Sequence, residues 1–399
     1  MAERIAAEVR LHGRKVGLLE YDRGGSKFVY DDDLTAEGHQ TLGQIFEDDP
    51  RTPRRARVGV PAWFANLLPE GALRRQVLRE IGRGNVGDLT LLRRLGADLP
   101  GAVTIHAEDE PENDLSVDAQ EEPDHPIRAS LAGIQLKYSV SRDRLTFPAS
   151  GNAAWWIVKI PDRSLRDLAA NEYLTMRWLR AAGMDVPPVH LARAKEVGGI
   201  PDGLVDPMEL VYLVERFDRG MSGRIHVEDF AQVADVEPKF KYGEIGASYD
   251  GLAAVILQVV GMRGYEDFIR RLVAMLIVGN TDAHLKNWAL IYPDGRSAQL
   301  APIYDFHSLT IYDRYRYTPL ALGLNGERAA GRIGLDDLRG LAGRCSADPE
   351  HTAQTAAEAV HLLRTAWSGG LREEAETRFP ALSRHFTSRL ASLPICLGA

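Results

Sequence analysis

The sequence predicts an α+β protein with a strand-rich N-terminal region, a small mixed lobe and a larger, mainly helical C-terminal lobe. Three observations carry that expectation. Apolar residues alternate with polar ones along the first thirty positions, as in half-buried strands. An acidic stretch with almost nothing to bury, Glu108–Asp124, interrupts the chain. Beyond Phe217 the apolar spacing becomes helical.

Taken in order, Val9 and Leu11 lead into the turn His12-Gly13, and Val16, Leu18 and Tyr21 follow before Gly24-Gly25 turns the chain again. Lys27–Tyr30 reads as a third strand. From Trp63 the pattern is helical, with Leu73, Val77, Leu78 and Ile81 on one face and Gly82 as a stop. A short helix, Asp88–Leu95, opens on an Asp suited to capping its free N–H groups, and Gly101–Ile105 returns to strand. Past the acidic linker, Trp155–Ile160 is a buried strand carrying Lys159 and closed by Pro161. Arg166–Ala182 forms an amphipathic helix, with Leu168, Tyr173, Met176 and Leu179 on one face and Gly183 just past its end. Leu210–Glu215 is a second apolar strand, and Phe230–Val233, Leu252–Val260, Tyr265–Val278 and several segments from Leu335 onward are helices. The expected divisions are 1–107, the linker 108–124, a small lobe 125–218 and a helical lobe 219–399.

The length of 399 residues allows two or three domains and a sizeable core. Two cysteines, Cys345 and Cys396, without a CxxC pair point to a cytoplasmic protein lacking structural disulfides. No apolar run approaches the roughly 20 residues that span a bilayer, and Met1–Arg4 lacks the apolar core of a signal peptide. Acidic residues outnumber basic ones by 56 to 48, a formal charge of −8, so the chain as a whole does not attract nucleic acid. The densest basic cluster, Arg51, Arg54, Arg55 and Arg57, has its simplest reading as a solvated loop flanking Pro53.

Chemistry concentrates in Gly279–Asn287. Asp282 and Asn287 lie five residues apart in a loop that follows an apolar helix, so both can address one small volume. In phosphoryl transfer that pairing serves a proton-accepting carboxylate and a Mg2+-binding amide. Polar loop residues also cap helices, and this loop alone does not decide between the two roles. A second carboxylate tips the balance: Pro302–Tyr304 is expected as a short strand ending in Asp305, after the turn Pro293-Asp294-Gly295. Upstream, Lys159 on its apolar strand suits an α/β-phosphate contact, with Glu172 of the next helix as partner, although taken alone a lysine there reads more simply as snorkelling to solvent. Val214–Arg219 offers backbone groups and Phe217 to an adenine; its plain reading is a strand end with surface ion pairs. Ser130–Lys137 has small residues where N–H groups can approach phosphate, but it is not a Walker loop. There is no GxSxG elbow for a hydrolase triad, and His226, His284 and His307 are too scattered for a catalytic zinc.

These residues, in this order, resemble the HipA family, the kinase toxins of bacterial toxin–antitoxin modules. The likeness runs through Phe64–Gly71, Gly101–Val103, Ser130–Lys137, Lys159, Val214–Arg219, His226–Gln232, Thr281–Asn287 and Tyr304-Asp305. It implies a kinase-like bilobal fold with an added N-terminal subdomain, using ATP and Mg2+. It implies Asp282 as catalytic base, Asn287 and Asp305 as metal ligands, and Lys159 on the phosphates. Glu215 and Phe217, with Arg216 between them, would frame the adenine. His284, Lys286 and Tyr304 would lie near the nucleotide. Ala132, Gly133, Ile134, Gln135, Leu136 and Lys137 match the family's phosphate-binding loop, and Ser130 its autophosphorylated serine. Implied partners are a protein substrate, such as an aminoacyl-tRNA synthetase, and a small helix-turn-helix antitoxin through which DNA is reached indirectly. Two other readings stand beside this one: a kinase of small molecules or lipids, and a non-catalytic co-regulator of a DNA-binding antitoxin. No basic amphipathic helix supports a lipid substrate, and a mere scaffold has no need of Lys159, Asp282, Asn287 and Asp305 together.

Overall fold

The structure, a computed structural model, describes residues 5–22, 25–31, 38–80, 86–107, 137–140, 156–162, 164–198, 200, 203, 205–244 and 246–399. The expected linker 108–124, Ser130, the loop residues Ala132, Gly133, Ile134, Gln135 and Leu136, and the helix stop Gly82 lie outside the described residues. The chain divides into two compact units: Met1–Pro161 with Ala192–Lys239 and Leu290–Ser297, and Asp162–Leu191 with Phe240–Ala289 and Ala298–Ala399.

The first unit opens with β1 (Ile5–Leu11), β2 (Arg14–Asp22) and β3 (Gly25–Tyr30). His12 and Gly13 both adopt positive φ, 48° and 80°, as a two-residue hairpin turn of matching twist requires. Val9 pairs with Gly17 and Arg10 with Lys15, which leaves Val16 as a bulge in β2. That extra residue changes the phase of the alternation. Leu19 therefore enters the core and Leu18, on the other face, is only half-buried, while Tyr21, near the strand end, is exposed although it shares Leu19's face. A strict period of two from Val16 had placed Leu18 inside.

The five-stranded sheet is completed by β4 (Arg54–Ala56) on one edge and β5 (Val103–Ala107) on the other. The arginine cluster is thus partly an edge strand, not a loop: Ser26, Lys27 and Phe28 pair with Ala56, Arg55 and Arg54. Long cationic side chains on an edge discourage pairing with another sheet. Helices α1 (Gln44–Asp48), α2 (Ala62–Ala65), α3 (Gly71–Glu80) and α4 (Asp88–Leu95) accompany this sheet, and Phe28, Phe46, Trp63 and Phe64 pack edge to face in its core. Asp88 does not cap α4. Gly87 occupies the N-cap with no side-chain bond, and the Asp88 carboxylate instead accepts from Arg74 at 2.6 Å.

Strands β6 (Lys137–Val140) and β7 (Trp156–Lys159) begin the small sheet. Helix α5 (Leu168–Ala181), of the second unit, starts two residues later than the sequence suggests and ends where Gly183 takes φ 85°. Its N–H bonds to the Arg180 carbonyl, and that of Met184 to Leu179, closing the helix end. After β8 (Val189–Arg193), β9 (Leu210–Glu215) pairs antiparallel with β7, Trp156 opposite Glu215 and Lys159 opposite Tyr212. The first unit continues with β10 (Arg219–Gly220), β11 (Gly223–Arg224), β12 (His226–Asp229) and α6 (Phe230–Val233).

The second unit is mainly helical. It contains α7 (Tyr249–Val259) and α8 (Met262–Val278), followed beyond β13 (Ala289–Tyr292) and β14 (Gln299–Leu300) by α9 (Leu335–Arg344), α10 (Pro349–Ala366), α11 (Arg372–Arg378), α12 (Pro380–Ser392) and α13 (Pro394–Leu397). Trp178 of α5 is wedged between Trp367 and Phe386, its indole N–H donating to the Leu363 carbonyl at 2.9 Å. Among the described residues no helix is long and apolar enough to cross a membrane.

In the first unit a carboxylate is buried without a cation. Glu228 accepts hydrogen bonds from the Gln44 backbone N–H at 2.9 Å, the Trp63 indole at 3.3 Å and the Tyr292 hydroxyl. Burial pushes its pKa up to about 7 despite these donors. A folded-state pKa above the unfolded one stabilises the fold fully below the unfolded value, and that contribution is lost as pH rises through the folded value. The expected result is that wild type loses stability between about pH 4.5 and 7 relative to Glu228→Gln, by on the order of 3 kcal/mol. Paired denaturation curves against pH would measure this, and a pH-independent difference would contradict it.

Candidate active site

The C-terminal part of helix α8, Leu272–Val278, is apolar on all sides because it lies in the interior of the second unit; Phe268, Ile269, Leu272, Val273, Leu276 and Ile277 are all fully buried. It stops at Gly279, where φ is 80° and an added Cβ would lie 2.0 Å from the Thr310 hydroxyl, so only glycine fits. Arg389 of α12 caps the exposed carbonyls of Leu276 and Ile277, a favourable place for a cation at a helix C-terminus. The Gly279 carbonyl in turn accepts from the backbone N–H groups of Leu309 and Thr310. The root of the loop is therefore tied directly to the segment that carries Asp305.

The loop itself is held by backbone contacts. The Ala283 carbonyl accepts from the Tyr249 hydroxyl at 3.0 Å and the Trp288 indole at 3.2 Å. The Leu285 N–H donates to the Lys241 carbonyl at 3.1 Å, and the Tyr304 hydroxyl to the Lys286 carbonyl at 2.9 Å. Asn280 accepts from the Asp282 N–H through its side-chain oxygen. On the far side, Asn171 of α5 clasps Ser308 at two points: its amide N–H donates to the Ser308 carbonyl at 2.7 Å and its oxygen accepts the Ser308 N–H at 2.9 Å.

This scaffold brings Asp282, His284 and Asp305 within electrostatic reach of one another. Burial pushes the Asp282 carboxyl above its usual range, and the Asp305 charge adds to this; His307, a hydrogen bond from Tyr242 and the Lys241 charge pull the other way. Burial, followed by the nearby Lys241, depresses His284 to about 3, so its ring is neutral; its Nδ1 is buried with no hydrogen-bond partner among the described residues. Asp305 is not at the end of a strand, as the sequence reading had it. Strand β14 ends at Leu300, and Asp305 sits in irregular backbone with φ 55°, a left-handed conformation uncommon for a residue with a Cβ. Strain of that kind concentrates at functional positions. Asn287 is half-buried, and its side-chain amide makes no hydrogen bond among the described residues. An open amide oxygen and a carboxylate are the hard donors that Mg2+ takes together with water and phosphate oxygens.

In the first unit, Lys159 is buried at the end of β7, with its ammonium 5.6 Å from the Tyr212 ring centroid. Lys137 begins β6 directly opposite it. Glu215 and Phe217 are half-buried at the exit of β9. Arg216 behaves differently from the expectation that its side chain faces a nucleotide. Its guanidinium is fully buried and committed to Asp218 at 2.9 Å and Asp98 at 3.1 Å. The ion pairs of this segment are interior ones. Sequence reasoning missed Asp98 as a partner because it lies more than a hundred residues upstream, and it missed Lys241 and Tyr242 because their segment reads as an ordinary Pro- and Gly-rich loop.

Strand-rich N-terminal region, small sheet and helical C-terminal part together form a kinase-like α+β fold. Residues 7–106 match the HipA N-terminal domain and residues 129–367 the HipA-like C-terminal domain. The chain is 34% identical to Y4dM of Sinorhizobium fredii, named as an inferred kinase, over 90% of both chains. It is 25% identical to the serine/threonine-protein kinase toxin HipA of Shewanella oneidensis, over 82% of this chain and 80% of that one. The solved complex of Shewanella oneidensis HipA with HipB and operator DNA contains a chain of the same fold, at TM-score 0.75 and 20% identity, with 97% of this chain and 96% of that chain covered. The chain belongs to the HipA-like kinase family.

Proposed function

We propose that the chain is an ATP- and Mg2+-dependent serine/threonine protein kinase acting as the toxin of a toxin–antitoxin pair. The observation that carries this reading is the grouping of Asp282, the open amide of Asn287 and the left-handed Asp305 around one loop root. Asp282 accepts the proton of the substrate hydroxyl, and its raised pKa improves it as a proton acceptor. Asn287 and Asp305 hold Mg2+, which when bound neutralises charge on the phosphates. Lys159 steadies the α- and β-phosphates. Glu215 and Phe217 frame the adenine, and neutral His284, with Lys286 and Tyr304, borders the nucleotide without adding a mobile proton. The loop 132–137 cradles phosphate through its N–H groups.

The antitoxin in this reading is a small helix-turn-helix protein; the Shewanella structure likewise joins HipA with HipB and operator DNA. With a net charge of −8 the kinase reaches DNA only through that partner. The substrate class is a cellular protein bearing an accessible serine or threonine, such as an aminoacyl-tRNA synthetase.

Ser130 precedes the phosphate loop, and a phosphate there, carrying about −1.5 to −2 charges, would compete with ATP for the same N–H groups. Incubation of purified chain with Mg2+ and γ-labelled ATP should therefore place label on Ser130 and progressively silence transfer. Ser130→Ala should stay unlabelled at that position and remain active. A stoichiometrically labelled protein with undiminished transfer would remove the self-inhibition from this account, and no transfer to any protein would remove the kinase reading.

A further inference from the structure

The turn Lys241–Gly243 of the second unit supplies a contact to the catalytic loop that none of the roles above uses. In the second unit, the Tyr242 hydroxyl hydrogen-bonds the Asp282 carboxylate. The same ring stands edge-on to His284, with centroids 5.0 Å apart and an interplanar angle of 88°. One residue earlier, the Lys241 carbonyl accepts the Leu285 N–H at 3.1 Å, and the Lys241 ammonium lies 5.6 Å from the Tyr242 ring centroid. Gly243, at φ 86°, turns the chain immediately afterwards; an added Cβ would meet the Ala247 carbonyl at 2.7 Å. The turn is thus fixed by its own sterics, and it presents Tyr242 to two catalytic-loop residues at once.

We propose that Tyr242 is a positioning residue for phosphoryl transfer: its hydroxyl fixes the rotamer of Asp282, and its ring fixes His284. This rests on the kinase reading above. A carboxylate on an otherwise free χ2 presents either oxygen in a broad range of orientations. A phenol bonded to one oxygen leaves the other aimed for the incoming hydroxyl, and catalysis depends steeply on such alignment. The ring contact has a separate effect. Edge-to-face packing holds the imidazole plane, and with it whatever His284 offers to a nucleotide.

The opposite role is an outcome of the test. A hydroxyl hydrogen-bonded to a base also resembles a bound acceptor, and a tyrosine acting as an internal plug would slow the enzyme. The backbone bond from Leu285 to Lys241 favours positioning, because it builds the turn into the catalytic loop instead of laying it over the opening.

The two functions of the side chain separate by substitution. Tyr242→Phe removes the hydroxyl alone and should lower kcat by about 10–100-fold, the usual effect of losing a hydrogen bond to a charged group, with KM for ATP unchanged. Tyr242→Ala removes the ring as well and should also raise KM for ATP. Hydrogen–deuterium exchange of the peptide covering 279–288 gives a readout that needs no activity: exchange should be faster in both variants, and more so in Tyr242→Ala. An unchanged or increased kcat in Tyr242→Phe overturns the proposal, as does unchanged exchange in both variants. If wild type itself transfers no phosphate, the kinase reading falls, and the exchange result still decides whether Tyr242 orders the loop.

Discussion

Asp282→Ala should lower the rate of phosphate transfer by about 10²–10⁴-fold, the range expected for loss of a positioned general base. Its fold should survive intact. The loop around Asp282 is held through the Ala283 carbonyl, the Leu285 N–H and the Lys286 carbonyl, none of which involves the Asp282 carboxylate. Removing that carboxylate also removes a buried group whose charge is disfavoured by desolvation and by Asp305. The thermal midpoint of Asp282→Ala should therefore equal or exceed that of wild type, the familiar opposition between stability and activity at a strained site. Asp305→Ala should differ in kind, weakening Mg2+-dependent nucleotide binding as well as turnover. Single-turnover rates and nucleotide affinities, measured on the same preparations, separate the two. Wild-type transfer by Asp282→Ala would end its assignment as the base.

Much of this site was legible in the sequence because its parts are local. Asp282 and Asn287 share one loop, the last two turns of the helix before them, Leu272–Val278, are unbroken apolar sequence, and Lys159 sits on a strand whose neighbours are all hydrophobic. The elements Leu210–Glu215 and Phe230–Val233 have their expected bounds because a strand between polar ends and a helix opened by Asp229 both carry local signals; the Asp229 carboxylate does accept the Gln232 N–H. What local signals could not give is register and long-range partnership. The bulge at Val16 is set by pairing with Val9 and Arg10, and nothing in β2 alone announces it. Asp305 looked like a strand end because Pro302–Tyr304 is apolar, yet it takes φ 55° in a segment tied through Leu309 and Thr310 to the distant Gly279. Asn171 and Glu172 sit on what reads as an amphipathic helix, but α5 is buried on most of its circumference and both side chains are interior. The sequence shows polar residues there; only the fold shows that they are inside.

The largest expected stability effect lies in the first unit, at Asp218. Its carboxylate accepts from Arg216 through both Nε and Nη2 at 2.9 Å, from Arg219 at 2.8 Å and from the Gly101 backbone N–H at 2.9 Å. Asp98 is the second anion, and both arginine side chains are at most 1% exposed. Arg224 also approaches Asp98, at 4.0 Å, so the cluster sets three guanidinium groups against two carboxylates. Burial raises the cost of charging Asp218, but the arginines more than offset it and hold the carboxyl well below its usual range. Arg219 shows the other side of this arrangement: burial outweighs its anionic partners and lowers its pKa. An already cation-rich cluster has no reserve, so Asp218→Ala should cost about 3–5 kcal/mol by leaving charge buried without a partner. Asp218→Asn should cost nearly as much, because the amide keeps the shape and not the charge. The double variant Arg216→Met/Asp218→Leu should recover part of the loss, since removing both members of a buried pair is far milder than removing one. Denaturation midpoints of wild type, Arg216→Met, Asp218→Leu and the double variant form a double-mutant cycle. Additive effects in that cycle would mean that the two residues contribute independently, and the charge-lock account of Asp218 would then be wrong.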